Sequence, residues 1–144
     1  MSTSISTDRK RMAVDLLTPE GSVFSGQAWM VVAPSVSGEL GILPRHQPIV
    51  AALRPGETRL KMLDDSQLVF ATTTGYMSVE EDRVLILVEQ AERADEIDQN
   101  RARAALQRAQ DALAEAGDDE SARNLAQAAL RRAENRLRVS DKQH

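Results

Sequence analysis

All five prolines, six of the seven glycines and all four aromatic residues (Phe24, Trp29, Phe70, Tyr76) of this 144-residue chain fall within its first 88 positions. The remaining 56 residues hold 14 alanines against six in the first 88, and their only glycine is Gly117. Turn and strand formers therefore give way to the best helix former. One uniform architecture cannot suit both compositions. The expected class is α+β, with a β module first and helices after it.

In the first part, short apolar runs alternate with punctuation every eight to twelve residues, the spacing of an all-β sandwich or barrel. The runs are 13–17, 27–33, 58–63, 67–73, 76–80 and 83–88. Between them lie Pro19-Glu20-Gly21, the stretch 34–41, Arg54-Pro55-Gly56-Glu57, Asp64-Asp65-Ser66 and Glu81-Asp82, whose side chains supply turn dihedrals and local hydrogen bonds. Leu60 and Met62 alternate with Arg59 and Lys61, so one face of that strand is wet. Val84-Leu85-Ile86-Leu87-Val88 is apolar on both faces, which predicts a central or covered strand.

Residues 93–116 and 121–138 read as two helices joined by Gly117-Asp118-Asp119-Glu120, a connection short enough to force an antiparallel hairpin. Gly117 suits the left-handed position after a helix, and Asp118 or Asp119 can cap the next one. Each helix carries one apolar stripe: Ala102, Ala109 and Ala116 with Leu106 and Leu113, then Leu130 and Leu137 with Ala126 and Ala133. A buried methyl contributes far less than the roughly 1.5–3 kcal/mol of a buried Leu or Ile, so such a hairpin should detach more easily than it melts. Residues 89–120 carry ten acids and four bases, while 121–144 carry two acids and six bases. Opening the hairpin would thus present a basic helix to an acidic partner. Solvated faces of two ordinary helices account for the same charges.

The side-chain inventory excludes much chemistry. Without cysteine there is no disulfide, thiol nucleophile, thiolate zinc site or iron–sulfur cluster. The two histidines are His46 and the terminal His144, too few for a convincing triad or metal site. A net charge of −4 has the wrong sign for general attraction to nucleic acid. The first eleven residues read as a disordered start without the apolar region of a secretory signal, and no run is long enough to insert in a membrane. Neither a P-loop nor a GxGxxG fingerprint occurs, and Gly38 and Gly41 fit a tight turn better than a nucleic-acid loop. Glu80-Glu81-Asp82 reads as a solvated turn. His46, bracketed by Pro44 and Pro48, reads as a structural or interface residue. Arg101 with Arg108, and Arg132 with Arg136, each share a helical face, so the hairpin could gather both pairs around a polyanion. Ordinary salt bridges to Asp98, Asp111 and Glu134 are the alternative.

Several segments together resemble one family: Val23-Phe24-Ser25-Gly26, Met30-Val31-Val32-Ala33-Pro34, Gly38-Glu39-Leu40-Gly41-Ile42-Leu43-Pro44-Arg45-His46-Gln47-Pro48 and Arg54-Pro55-Gly56-Glu57, followed by Ala91-Glu92-Arg93-Ala94-Asp95-Glu96-Ile97-Asp98 and Arg101-Ala102. From about residue 12 to 138 the chain is similar to the epsilon subunits of bacterial F-type, proton-translocating ATP synthases. The resemblance implies a β-sandwich of about ten strands over 12–92, then a regulatory two-helix hairpin over 93–140. It implies no catalytic site, no metal and no required cofactor. The implied role is a central-stalk subunit, peripheral on the cytoplasmic face of the bacterial plasma membrane. There it would couple proton movement through the c-ring to ATP synthesis, with the gamma subunit, the c-ring loops and, when extended, the beta and alpha subunits of the head as partners. A stand-alone β-sandwich adaptor with a partner-binding hairpin is the competing function.

Residue by residue, the resemblance places the segment 37–48 against the c-ring, with Gly38, Glu39 and His46 as contact candidates. Arg45 stands where the family usually has glycine, and Thr74-Gly75-Tyr76 replaces a Gly-Gly-aromatic sequence. The hairpin would fold back or extend into the head and block hydrolysis, its basic helix offering Arg123, Arg131, Arg132, Arg136 and Arg138. Some family members also bind a regulatory ATP on the folded hairpin through an Ile/Leu-Asp-x-x-Arg-Ala motif. Ile97, Asp98, Arg101 and Ala102 match it, with Arg108, Arg132 and Arg136 as accessory basic groups; Asp98 could equally start a helix.

Overall fold

The computed structural model describes residues 10–141; all but the last two residues of the expected disordered start at 1–11, and His144, lie outside the described residues. Nine strands occur among them: β1 (Met12–Thr18), β2 (Gly21–Ser35), β3 (Gly38–Ile42), β4 (Ile49–Leu53), β5 (Gly56–Met62), β6 (Gln67–Thr72), β7 (Gly75–Glu80), β8 (Arg83–Val88) and β9 (Ala91–Arg93). A 3-10 turn at Ala94–Glu96 then leads to helices α1 (Gln99–Ala116) and α2 (Glu120–Asp141). The chain divides into two compact units, the second beginning at Ala94.

The 15-residue strand β2 organises the first unit. Its N-terminal half pairs antiparallel with β1, whose other edge runs parallel to β8, and the order continues through β7 to β4. Its C-terminal half pairs with β3 on one side and β5 on the other, followed by β6 and β9. One strand thus serves both layers of a β-sandwich, and the Ser35–Leu53 pairing links β2 back to β4. Strand alternation directs Met12, Val14, Leu16, Ile42, Leu60, Met77, Val84 and Ile86 inward, where they pack around Phe70. Phe24 meets Phe70 edge to face with ring centroids 6.4 Å apart.

Three strands depart from the sequence expectation. Strand β3 occupies part of the supposed turn at 34–41: Gly38 and Gly41 do not break it because β2 supplies five paired positions from Val31 to Ser35. Strand β4 follows the proline loop and pairs in full with β7, and β9 is a three-residue extension against β6. Strand β8 is central between β1 and β7, yet only Val84, Ile86 and Val88 are buried, while Leu85 and Leu87 remain partly exposed. Gly75, at the start of β7, is backbone-limited: a Cβ there would collide with the Leu87 carbonyl oxygen and the Val88 Cα.

Within the second unit, the first helix begins at Gln99 and not at residue 93. Arg93 belongs to β9, and Asp98 ends the intervening turn as the N-cap, accepting from the Asn100 and Arg101 amides at 3.0 and 3.2 Å. Gly117 (φ 55°) closes α1, and Asp119 caps α2 through the Ala122 amide at 3.1 Å. Ala102, Ala109, Ala126 and Ala133 are buried as their stripes predict, but α2 also buries Asn135, Val139 and Ser140. The hairpin's open end is clasped by Gln99, whose amide donates to Ser140 Oγ at 3.3 Å and Asp141 Oδ1 at 2.9 Å.

Candidate functional site

Of the two sets of residues singled out by sequence, the first lies on β3 and the loop after it. The turn before β3 is built by Ser35: its hydroxyl donates to the Gly38 carbonyl at 2.6 Å and accepts from the Ser37 amide at 3.2 Å. Gly38 adopts φ 125°, a conformation that disfavours a side chain. Glu39 does not stand free. Its carboxylate accepts from Arg59 Nη1 on β5 at 3.0 Å, across the intervening β2, and the same nitrogen donates to Glu57 at 3.0 Å. The bond from Glu39, reinforced by Glu57, raises the Arg59 guanidinium above its ordinary value against the opposing effect of partial burial. Glu39 keeps 56% of its side chain exposed, so its outer oxygen surface is open to a partner.

His46 sits at the other end of β3. Its Nδ1 donates to the Gln47 carbonyl at 2.7 Å, which leaves Nε2 as the outward nitrogen. Four extended residue steps from Glu39 to Leu43 span about 13 Å. Gly38 and Glu39 at the start of the edge strand β3 and His46 in the loop after it thus do not gather into a pocket. Leu43 and Arg45 are exposed beside His46, and Val36 is exposed at the opposite tip.

The second set lies on the hairpin. Arg101 and Arg108 are exposed, each one position before a buried alanine of the seam, as Arg132 is before Ala133; Arg136 is half-buried. The clasp from Gln99 to Ser140 and Asp141 fixes the antiparallel register, which puts Arg108 within about one turn of Arg132 and Arg101 within about one turn of Arg136. The two levels are about 10 Å apart along the axis. Among the described residues, Arg101, Arg108 and Arg132 form no ion pair. Asp98 caps α1 and Asp111 accepts from Gln107 at 3.0 Å, and among the described residues neither forms an ion pair with Arg101, Arg108 or Arg132. Ile97 is buried at 3% exposure, which makes it an anchor for the turn and not a group open to a solvent-borne ligand.

Among the arginines of α2, Arg123 and Arg138 are engaged within the hairpin. Arg123 donates to the Gly117 carbonyl at 3.2 Å and Arg138 to Asn135 Oδ1 at 2.9 Å. Arg131 and Arg132 project into solvent. Sequence reasoning missed Arg59, Glu57 and Asp82. The wet-face alternation around Arg59 was visible, but its partners are on strands whose pairing was not. Among the described residues there is no group of three His, Asp or Glu side chains able to hold a metal, and no helix long and apolar enough to cross a membrane.

Comparison with known proteins covers both units. The family model described as ATP synthase, Delta/Epsilon chain, beta-sandwich domain matches residues 11–94, and that described as ATP synthase, Delta/Epsilon chain, long alpha-helix domain matches residues 95–141. An ATP synthase epsilon chain of Exiguobacterium is 44% identical over 128 residues, spanning 89% of this chain and 94% of that one. One from Brevibacillus brevis is 44% identical over 105 residues, 73% of this chain and 80% of the relative. One from Neisseria meningitidis is 40% identical over 111 residues, 76% and 79% respectively. Among solved structures, a chain in the Euglena gracilis mitochondrial ATP synthase (OSCP/F1/c-ring) matches with a TM-score of 0.78 at 20% identity, covering 93% of this chain and 82% of that one. At that identity the likeness is one of fold.

Proposed function

Since the chain belongs to the ATP synthase delta/epsilon chain family, we propose that it is a non-catalytic central-stalk subunit of an F-type ATP synthase. It joins gamma and the c-ring loops, transmits proton-driven rotation to the catalytic head, and restrains ATP hydrolysis through its hairpin. The observation that carries this is the consecutive match of both family models, which accounts for the sandwich and the hairpin in the same order. The assembly would hold the subunit peripherally at the cytoplasmic face of the bacterial membrane.

The site geometry supports distinct tasks for the two units. The edge strand with Glu39 and the loop with His46 offer polar groups to the c-ring. In the extended state, the exposed Arg131 and Arg132 offer positive charge to an acidic surface of beta, or of alpha. The matched levels of Arg101 with Arg136 and Arg108 with Arg132 suit the phosphates of a regulatory ATP on the folded hairpin, which would favour that state by mass action. ATP is then a sensor ligand and not a substrate.

Adding the purified chain to a synthase depleted of the corresponding subunit tests the role. It should co-purify with gamma and the c-ring, restore ATP-driven proton pumping and lower ATP hydrolysis. A chain that assembles with none of these subunits is the independent adaptor. Reversing the charge of Arg132 and Arg136 should weaken inhibition at low salt, and calorimetry with ATP on the isolated chain should register binding; no heat at millimolar ATP would remove the nucleotide from this account.

A further inference from the structure

Among the described residues four non-glycine positions have φ in the left-handed region, and three of them are joined at one corner of the sandwich: Arg45 (φ 67°), Glu81 (φ 51°) and Asp82 (φ 59°). L side chains avoid this region because Cβ crowds the carbonyl oxygen. Glu81 and Asp82 form the two-residue connection between β7 and β8, closed by the Glu80–Arg83 pair. Two successive left-handed residues match the twist of a hairpin, although glycine or asparagine is the usual choice. Arg45 has no such excuse, since it lies in an irregular loop with a large, β-carbon-bearing side chain. What it gains is a bond to Asp82, whose Oδ1 accepts the Arg45 amide at 2.6 Å across 37 positions of sequence.

Asp82 also works through its backbone. Its carbonyl accepts the Ala13 amide at 2.9 Å, which ties the β7–β8 turn to the start of β1. One residue therefore connects β1, the β7–β8 turn and the loop at 43–48. The loop's own bonds, from the His46 amide to the Leu43 carbonyl at 3.2 Å and from His46 Nδ1 to the Gln47 carbonyl at 2.7 Å, do not involve Arg45. Strain that clusters at one place and is held by a single charge-assisted bond from a rigid hairpin is the pattern of a positioned recognition element.

We propose that Asp82 is the positioning residue of the Leu43–Pro48 loop, its carboxylate locking Arg45 in the left-handed conformation so that Arg45 and His46 are presented outward as a fixed contact surface. Resting on the reading that this loop meets the c-ring, the assignment gives the contact a defined shape before assembly. Prior ordering lowers the entropy lost on binding.

The test compares Asp82→Gly with Asp82→Asn in the full chain. Glycine is favoured at a left-handed turn position, so Asp82→Gly keeps the hairpin while deleting the acceptor; asparagine keeps both the turn preference and a side-chain oxygen. Amide hydrogen exchange read by NMR should accelerate about tenfold at Arg45 and His46 in Asp82→Gly and stay near the parent rate in Asp82→Asn, with the thermal midpoint of the sandwich preserved in both. Exchange at Arg45 unchanged in Asp82→Gly overturns the proposal. Reconstituted synthase carrying Asp82→Gly should pump fewer protons per ATP hydrolysed, with rescue by Asp82→Asn. Accelerated exchange with undiminished pumping upholds the lock and instead removes this loop from the rotor contact.

Discussion

Replacing Asp98 with alanine separates two roles that the sequence left superimposed, helix start and nucleotide ligand. Asp98 accepts from the amides of Asn100 and Arg101, which α1 otherwise leaves unsatisfied. Loss of such a cap costs about 1 kcal/mol, within a range of about 0.5–2. At about 0.6 kcal/mol for RT, that is roughly a fivefold increase in the opened population of the first turn. The next residue, Gln99, forms the clasp to Ser140 and Asp141, so fraying at Asp98 is transmitted directly to the open end of the hairpin. Hydrogen exchange by NMR should thus quicken about fivefold over the first turn of α1 in Asp98→Ala, and by less than twofold in Asp98→Asn, which caps equally well. Charge enters differently. If the carboxylate touches ATP, Asp98→Asn should change the calorimetric affinity while leaving helix exchange alone; if it only caps, affinity should follow exchange in both variants. Unaltered exchange at Asn100 and Arg101 in Asp98→Ala would refute the capping argument outright.

Two further outcomes follow from local geometry. Gly75→Ala drives a methyl into the Leu87 carbonyl oxygen and the Val88 Cα, both backbone of a central strand, so urea denaturation should show a loss of about 2–3 kcal/mol. The exposed Asp64 carboxyl is held below its ordinary value chiefly by the Ser66 hydroxyl, at 2.5 Å, and then by the Ser66 amide. A depressed folded-state value means that its contribution is present above about pH 3.9 and disappears as pH falls through the folded-state pKa. An NMR titration of Ser66→Ala should therefore move the Asp64 midpoint upward, toward the unfolded value.

The break between β module and helices was legible because alanine, glycine and proline act through local backbone preferences that need no partner. Gly117 and Asp119 were legible for the same reason, as caps are read within a few residues. Strand β3 was not: Gly38 and Gly41 look like turn residues until β2 supplies the pairing that overrides them. The start of α1 was misplaced by several residues because Ala94-Asp95-Glu96 has helical composition, yet Ile97 is buried and Asp98 caps, which stops the helix from extending backward. Among site residues, the arginine spacing on one helix was visible, whereas their levels across the hairpin depended on the clasp at Gln99. The Glu39–Arg59 and Arg45–Asp82 links join residues 20 and 37 positions apart, and nothing local announces either one.

The two units differ in what holds them, and the difference bears on regulation. Each large residue sealed in the sandwich, such as Phe70, Leu60 or Ile86, contributes about 1.5–3 kcal/mol, so the β module has no easy route to partial opening. The two helices bury Ala102, Ala109, Ala126 and Ala133, with Val139 the one large apolar side chain sealed among the described residues of α1 and α2, and a buried CH2-sized group contributes only about 0.8 kcal/mol. Small side chains let the helices approach closely, but separating them sacrifices little, while α1 and α2 keep their own backbone hydrogen bonds and caps. Ala109 is 4% exposed, so Ala109→Leu would have to displace its neighbours and should weaken the seam, not strengthen it. On the proposed reading, a ligand that bridges arginines on both helices would shift the hairpin with modest differential affinity. On that reading, the alanine content of the second unit is what keeps the hairpin easy to shift.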